Sequence, residues 1–175
     1  DLLGSHVYEI FGNQFPLLFK LIDANDDLSV QVHPNDELAY NRHKSYGKTE
    51  MWYIIHAEKG ATIINGFNKS LTKEEYLKHL NQKKITEVLN TIPMEANDAI
   101  FIPAGRVHAI GPGNFLAEIQ QTSDITYRIY DWERVDDHNN PRRLHTEEAL
   151  DAIDFSMTKE TKISYKTTLN KTENI

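Results

Sequence analysis

LSVQVHPND, residues 28–36, sets the problem for the whole chain. In an extended strand successive side chains point to opposite faces, so Leu28, Val30 and Val32 line one side and Ser29, Gln31 and His33 the other. The apolar side needs only a core. The polar side puts an amide and an imidazole two positions apart, and buried groups of that kind need partners. Pro34 has no N–H to give a neighbouring strand, so it ends the ladder.

The pattern around this stretch stays β-rich. Phe15–Asp23 reads as a strand paired with residues 28–33 through a turn at Asn25-Asp26-Asp27. Its run FPLLFKLI, broken by Lys20, has the length of a buried strand rather than a membrane span. A short helix over residues 37–43 follows, with Asn35 or Asp36 near its N-cap. EMWYIIH at residues 50–56 and residues 61–65 read as strands, the second before a turn at Gly66. Thr72-Lys73-Glu74-Glu75 is a capping box; Tyr76, Leu77 and Leu80 then share a helical face, and Ile85, Val88 and Leu89 suggest a second short helix. Residues 72–90 thus read as a helical insertion between hairpins. Strands resume at residues 99–102, 115–121 and 125–130, separated by Pro103-Ala104-Gly105 and Gly111-Pro112-Gly113. A helix starts at Thr146 as N-cap and runs through Ile153. KISYKTTLN, residues 162–170, reads as a strand whose neighbours lie outside the chain. Many short strands with Gly/Pro turns predict a mainly β sandwich or barrel.

The chain has 175 residues, which predicts one domain with a sizeable core. Its 26 acidic and 19 basic residues give a net charge of −7, which argues against a broad basic face for nucleic acid. A small anionic substrate needs only two or three local cations and stays open. With no cysteine, disulfides and thiolate metal sites are excluded, and a cytoplasmic location agrees with this. The first residue is Asp1, inside plausible structured sequence, so the chain reads as a region of a longer product.

Four places combine into one chemical proposal. Gln31 and His33 share a strand face. Glu50 heads the EMWYIIH strand, just after Gly47-Lys48-Thr49. His108 follows the turn in PAGRVHAI, where Pro103 and Gly105 aim it inward. Two imidazoles, a carboxylate and an amide oxygen make a set suited to zinc with one position left for water or substrate. Singly, each has a plainer account: a hydrogen-bonded or exposed strand histidine, an exposed strand end. Together they would share the polar face of a buried barrel. The other six histidines, His6, His43, His56, His79, His138 and His145, read as surface, and Trp52, Tyr53, Tyr127, Tyr130 and Trp132 as core or rim.

NDAIFIPAGRVH, residues 97–108, resembles the second cupin motif, whose core is P-x-G-x-x-H. Asn97 stands where that motif has glycine, and asparagine tolerates the left-handed conformation. The first cupin motif, H-x-H followed closely by glutamate, is here Q-x-H with a longer gap to Glu50. QVHPND, GKTEMWYII, PAGRVHAIG and AEIQQTSDITYRIYDW together resemble the type I mannose-6-phosphate isomerase family in its short bacterial form. Four motifs agree in order over about residues 15–155.

The resemblance implies a mainly β, cupin-like jelly roll or barrel with a small helical insertion and a C-terminal helix. It implies a catalytic domain over residues 1–155, a tail over 156–175 leading toward a second cupin-like lobe, and further strands before residue 1. It also implies one Zn2+ held by Gln31, His33, Glu50 and His108, with Lys48, Glu118 and Arg128 as active-site residues. The implied substrates are the sugar phosphates mannose 6-phosphate and fructose 6-phosphate, with no nucleic-acid or membrane partner. Their interconversion moves a proton between C1 and C2 through an enediol(ate). Glu118 is the first choice for carrying that proton; a salt bridge within the barrel is its other reading. Arg128 stays protonated, so it would stabilise the enediolate or clamp substrate, unless it pairs with Asp124 or Asp131 at the surface. Lys48 would bind phosphate or assist proton transfer, unless it is a solvated loop lysine; Arg106 is a lesser anion-binding candidate. Two rivals remain at this level: a non-catalytic metal-cupin module that binds sugar, and a cupin-type glucose-6-phosphate isomerase.

Overall fold

The computed structural model describes residues 4–159 and 162–165. In chain order its elements are α1 (Ser5–Phe11), β1 (Leu17–Ala24), β2 (Val30–Val32), α2 (Asp36–His43), β3 (Glu50–Ala57) and β4 (Thr62–Phe67). There follow α3 (Lys73–Asn81), a 3-10 turn (Ile85–Val88), β5 (Leu89–Pro93), β6 (Ala99–Ile102), β7 (His108–Ile110), β8 (Asn114–Gln121), β9 (Tyr127–Tyr130) and α4 (Thr146–Ala152). The strands form two antiparallel sheets, ordered β1-β8-β3-β6 and β5-β4-β7-β2-β9. Between them lies a core of Trp52, Ile54, Ile63, Ile100, Ile102, Ile110 and Leu116. This is the mainly β, cupin-like architecture expected, with its helical insertion and C-terminal helix.

A second apolar cluster covers the opposite face of the five-stranded sheet. Val30, Val32, Ala109, Tyr127 and Ile129 pack there under Tyr76, Ile85 and Val88 of the insertion and Ala149 of α4. The valines of β2 therefore face the helices and not the inter-sheet core. Their alternation partners Gln31 and His33 are left for the inside of the barrel. Leu28 departs from the alternation: it packs against the inter-sheet core, ahead of an irregularity in register between Val30 and Gln31.

Local signals hold well. Asn35 caps α2 by accepting from the Leu38 N–H. Thr72 and Glu75 make both bonds of the capping box at α3. Asn97 adopts φ 73°, the left-handed conformation the motif position asks for. One cap differs: Thr146 is the first residue of α4 and not its N-cap, which is His145 and makes no side-chain cap bond.

Pairing over distance differs from expectation. β1 and β2 do not form a hairpin; they lie in different sheets, β1 against β8 and β2 between β7 and β9. Nor is β1 buried: as an edge strand it leaves Phe19 and Leu21 exposed on the outer face of its sheet. Leu89 begins a strand instead of ending a helix, because β5 pairs with β4 and the insertion sits within that pair. Of KISYKTTLN, residues 162–165 are described and are not a strand, although the Ile163 N–H donates to the Ala99 carbonyl at the β6 edge; residues 166–170 lie outside the described residues.

The insertion is fastened by aromatic packing. Phe67 is fully buried, stacked on Phe155 at 6.2 Å between ring centroids and edge-on to Tyr76 at 6.3 Å. Phe67→Ala is expected to cost about 3–5 kcal/mol, the usual range for emptying such a site. Denaturant unfolding should show it as a lower midpoint with an unchanged slope.

Candidate metal centre

The inside-facing residues of four strands meet at one point. Gln31 of β2 lies opposite His108 of β7 in the ladder, and Asn65 of β4 lies opposite His108 on its other side. Glu50 heads β3 in the other sheet, opposite Gln120. His33 is carried just past the end of β2. The carboxylate of Glu50 and the imidazoles of His33 and His108 offer ligand atoms within 4.8 Å of one another, all buried.

Two loops place these groups. Gly105 has φ 86°, and a Cβ there would stand 2.9 Å from the Ala152 carbonyl. Its N–H donates to the His33 carbonyl, so the turn before His108 is tied directly to the strand carrying His33. On the other side, a Cβ on Gly47 would come within 2.5 Å of the backbone at Asn35 and Asp36. The Gly47 N–H donates to Asp36 Oδ1 and the Lys48 N–H to the Pro34 carbonyl, which locks the approach to Glu50.

Hydrogen bonds set the tautomers. His33 Nδ1 lies 2.9 Å from the Ile125 carbonyl oxygen and His108 Nδ1 lies 2.8 Å from that of Arg106. A carbonyl only accepts, so each Nδ1 carries a proton and each neutral ring turns a bare Nε2 toward Glu50. His33 Nε2 is 3.1 Å from Glu50 Oε1 and His108 Nε2 is 3.6 Å from Oε2. His33 Nε2 and both Glu50 oxygens are buried without a hydrogen-bond partner among the described residues.

Titration follows burial. Burial pushes His33 down to about 4, and His108 is lowered for the same leading reason. For Glu50 burial acts upward, but charged neighbours, the Lys48 ammonium 3.1 Å from Oε1 among them, outweigh it and hold the carboxyl well below its ordinary range. Near neutral pH the centre is thus two neutral imidazoles with lone pairs aimed at an ionised carboxylate. Such a set of converging lone pairs fits a divalent metal. Gln31 stands beside this cluster, with its side-chain amide 3.3 Å from His108 Nε2.

Lys48 is not a solvated loop residue. It is 5% exposed and its Nζ is 3.1 Å from Glu50 Oε1. Glu118 is buried on the inner face of β8, where Lys20 Nζ donates to Oε1 at 2.9 Å and the Trp52 indole N–H to Oε2 at 3.1 Å. The intra-barrel ion pair raised as its other reading is therefore present. Arg128 lies opposite Gln31 in the ladder and donates to the Arg143 carbonyl. Asp131 is occupied by Arg134 and Arg142, and Arg128 has no ion-pair partner among the described residues. Beside Gln31 a cleft of about 470 Å³ is lined by Arg128, Arg134 and Arg142 together with Asp23, Asp26 and Asp27. Arg106 donates to Asn65 Oδ1.

Two residues escaped the sequence reading. Lys20 interrupts an apolar run, and that interruption was its signal: it falls on the inward parity of β1. His145, expected at the surface, is half-buried and its Nδ1 accepts the Arg128 backbone N–H at 3.0 Å. Nothing local marks it.

Known proteins resemble this chain in sequence and fold. The family model for the phosphomannose isomerase type I catalytic domain matches residues 1–49. A mannose-6-phosphate isomerase of Streptococcus mutans is 45% identical over 157 residues, covering 87% of this chain and 49% of that protein. The mannose-6-phosphate isomerase ManA of Bacillus subtilis is 45% identical over 148 residues, covering 83% of this chain and 46% of that protein. The crystal structure of the mannose 6-phosphate isomerase from Bacillus subtilis superposes with TM-score 0.83 at 37% identity, over 91% of this chain and 51% of that one. The chain spans about half the length of the curated relatives it matches. Sequence identity and superposition liken the chain to mannose-6-phosphate isomerases over most of its length, and the type I catalytic-domain model does so over residues 1–49.

Proposed function

We propose that this chain carries the catalytic centre of a zinc-dependent aldose-ketose isomerase that interconverts mannose 6-phosphate and fructose 6-phosphate. One observation carries the reading. The buried His33–Glu50–His108 cluster lies within the stretch where a protein named mannose-6-phosphate isomerase is 45% identical to this chain. Gln31, His33, Glu50 and His108 would hold one Zn2+, a donor set of two nitrogens and two oxygens that suits this ion. When bound, the ion supplies Lewis acidity beside the sugar's O1 and O2.

The remaining work falls to side chains. Isomerisation removes the C2 proton of the open-chain aldose and returns it to C1, while the hydroxyl proton on O2 is lost and one is gained on O1. Glu118, an acceptor within the barrel, takes the C2 proton and delivers it to C1. Arg128 stays cationic and offsets the negative charge that develops on the enediolate. Lys48, buried against Glu50, orients that carboxylate and stands ready to exchange hydroxyl protons; its burial makes it a poor phosphate anchor. The arginine-lined cleft beside Gln31 would receive the phosphate end. A small-molecule sugar phosphate is then the partner. Among the described residues no helix is long and apolar enough to cross a membrane.

The test joins turnover to metal content. Incubated with fructose 6-phosphate, this chain and any longer form of it should produce mannose 6-phosphate, with about one zinc per chain. A chelator should stop turnover, and added Zn2+ should restore it. Stoichiometric metal without turnover in any form would instead favour a metal-cupin module that binds sugar. Turnover of glucose 6-phosphate alone would favour the other isomerase.

A further inference from the structure

Glu118 is gripped from two sides by donors of different character. Trp52 lies opposite it in the β3–β8 ladder and Lys20 opposite it in the β1–β8 ladder. The Trp52 side chain is fully buried, with its ring edge-on to His108 at 5.5 Å between centroids, so it has nowhere to move. Its indole N–H can only donate, and it donates to Oε2. The Lys20 side chain is 40% exposed, and its Nζ shares itself between Glu118 Oε1 at 2.9 Å and the Gln120 side-chain oxygen at 2.5 Å. Lys20 can therefore leave Oε1 while keeping Gln120.

We propose that Trp52 is a positioning residue for the isomerase reaction, whose indole N–H pins Oε2 of Glu118 and leaves Oε1 as the oxygen that carries the substrate proton. The inference rests on the reading of Glu118 as proton carrier. Its chemistry is one-sided. When Oε1 takes the C2 proton, Oε2 becomes the carbonyl oxygen of a neutral acid and still accepts from the indole. Protonation of Oε2 would make it the hydroxyl oxygen, a weaker acceptor, and would loosen the indole bond. The proton on Oε1 then passes to C1, and the carboxylate is restored with its orientation unchanged.

Trp52→Phe keeps an aromatic ring beside His108 and removes the donor together with part of the buried ring volume. The chain has two tryptophans, so its indole N–H region is simple to assign by NMR. In Glu118→Gln the Trp52 indole proton is expected to move upfield, since a neutral amide accepts more weakly than a carboxylate. Trp52→Phe should lower kcat about 10-fold, as losing a hydrogen bond to a charged group implies. KM and bound zinc should stay within about twofold, because oriented binding elsewhere is untouched. On a Glu118→Gln background, Trp52→Phe should cost nothing more. An unmoved indole signal overturns the proposal even if Trp52→Phe fails to fold. So does wild-type kcat in Trp52→Phe, or an equal added loss on the Glu118→Gln background. If the wild-type protein turns over no sugar phosphate, the functional reading fails and takes the proposal with it; the indole shift alone then reports whether the contact exists.

Discussion

His33→Ala should leave the protein without stoichiometric metal and lower isomerase turnover by at least about 100-fold. Losing a mere supporting partner of a metal ligand costs roughly 10- to 100-fold, and His33 is proposed as a ligand itself. Its Nδ1 is committed to the Ile125 carbonyl, which presents Nε2 to the centre and leaves no alternative donor on that residue. Burial pushes its pKa to about 4, so the lone pair is available throughout the neutral range. Alanine would also leave the buried Glu50 carboxylate with fewer neighbours. Metal analysis after gel filtration, alongside the fructose 6-phosphate assay, decides the matter. Retained stoichiometric zinc would remove His33 from the ligand set.

Glu118→Gln should separate binding from chemistry. The amide keeps the shape of the side chain but cannot accept and return a proton. Turnover is expected to fall by about 10²–10⁴-fold, the range usual for losing a positioned acid–base group. Zinc content should be unchanged, because Glu118 bonds Lys20 and Trp52 and not the metal cluster. Sugar phosphate should still bind, as the proposed anion contacts lie in the arginine-lined cleft. Unchanged turnover would end the assignment and leave Glu118 as a structural ion pair with Lys20.

These effects depend on residues that the sequence exposes unequally. Gln31, His33, Glu50 and His108 could be picked out because each stands in a short pattern: the polar face of a valine-rich strand, the head of EMWYIIH after Gly47-Lys48-Thr49, or the place after a Pro-x-Gly turn. Lys48 was visible only as part of a motif; its burial against Glu50 was not. Lys20 was seen as an interruption in an apolar run, without hint of Glu118, 98 positions away. His145 sits in a polar loop, and only the return of α4 against β9 brings it to the Arg128 backbone.

The same division runs through the fold. Strand alternation, helix caps, the left-handed Asn97 and the turn at Gly105 depend on a residue and its near neighbours, so the sequence by itself determined them. It also determined that the chain would be rich in β-strands, with a helical insertion after Thr72. Which strands pair is another kind of question. Asn25-Asp26-Asp27 looks like a hairpin turn, yet β1 and β2 part into opposite sheets. The valines of β2 look like inner core, yet they pack under helices. An apolar face specifies only that it be covered, since the hydrophobic effect has no direction and does not name its partner. The order of strands and the placement of the insertion choose the cover, and the face left over then becomes polar and inward. That choice, made only in the tertiary structure, is what gathers Gln31, His33, Glu50 and His108 around one point.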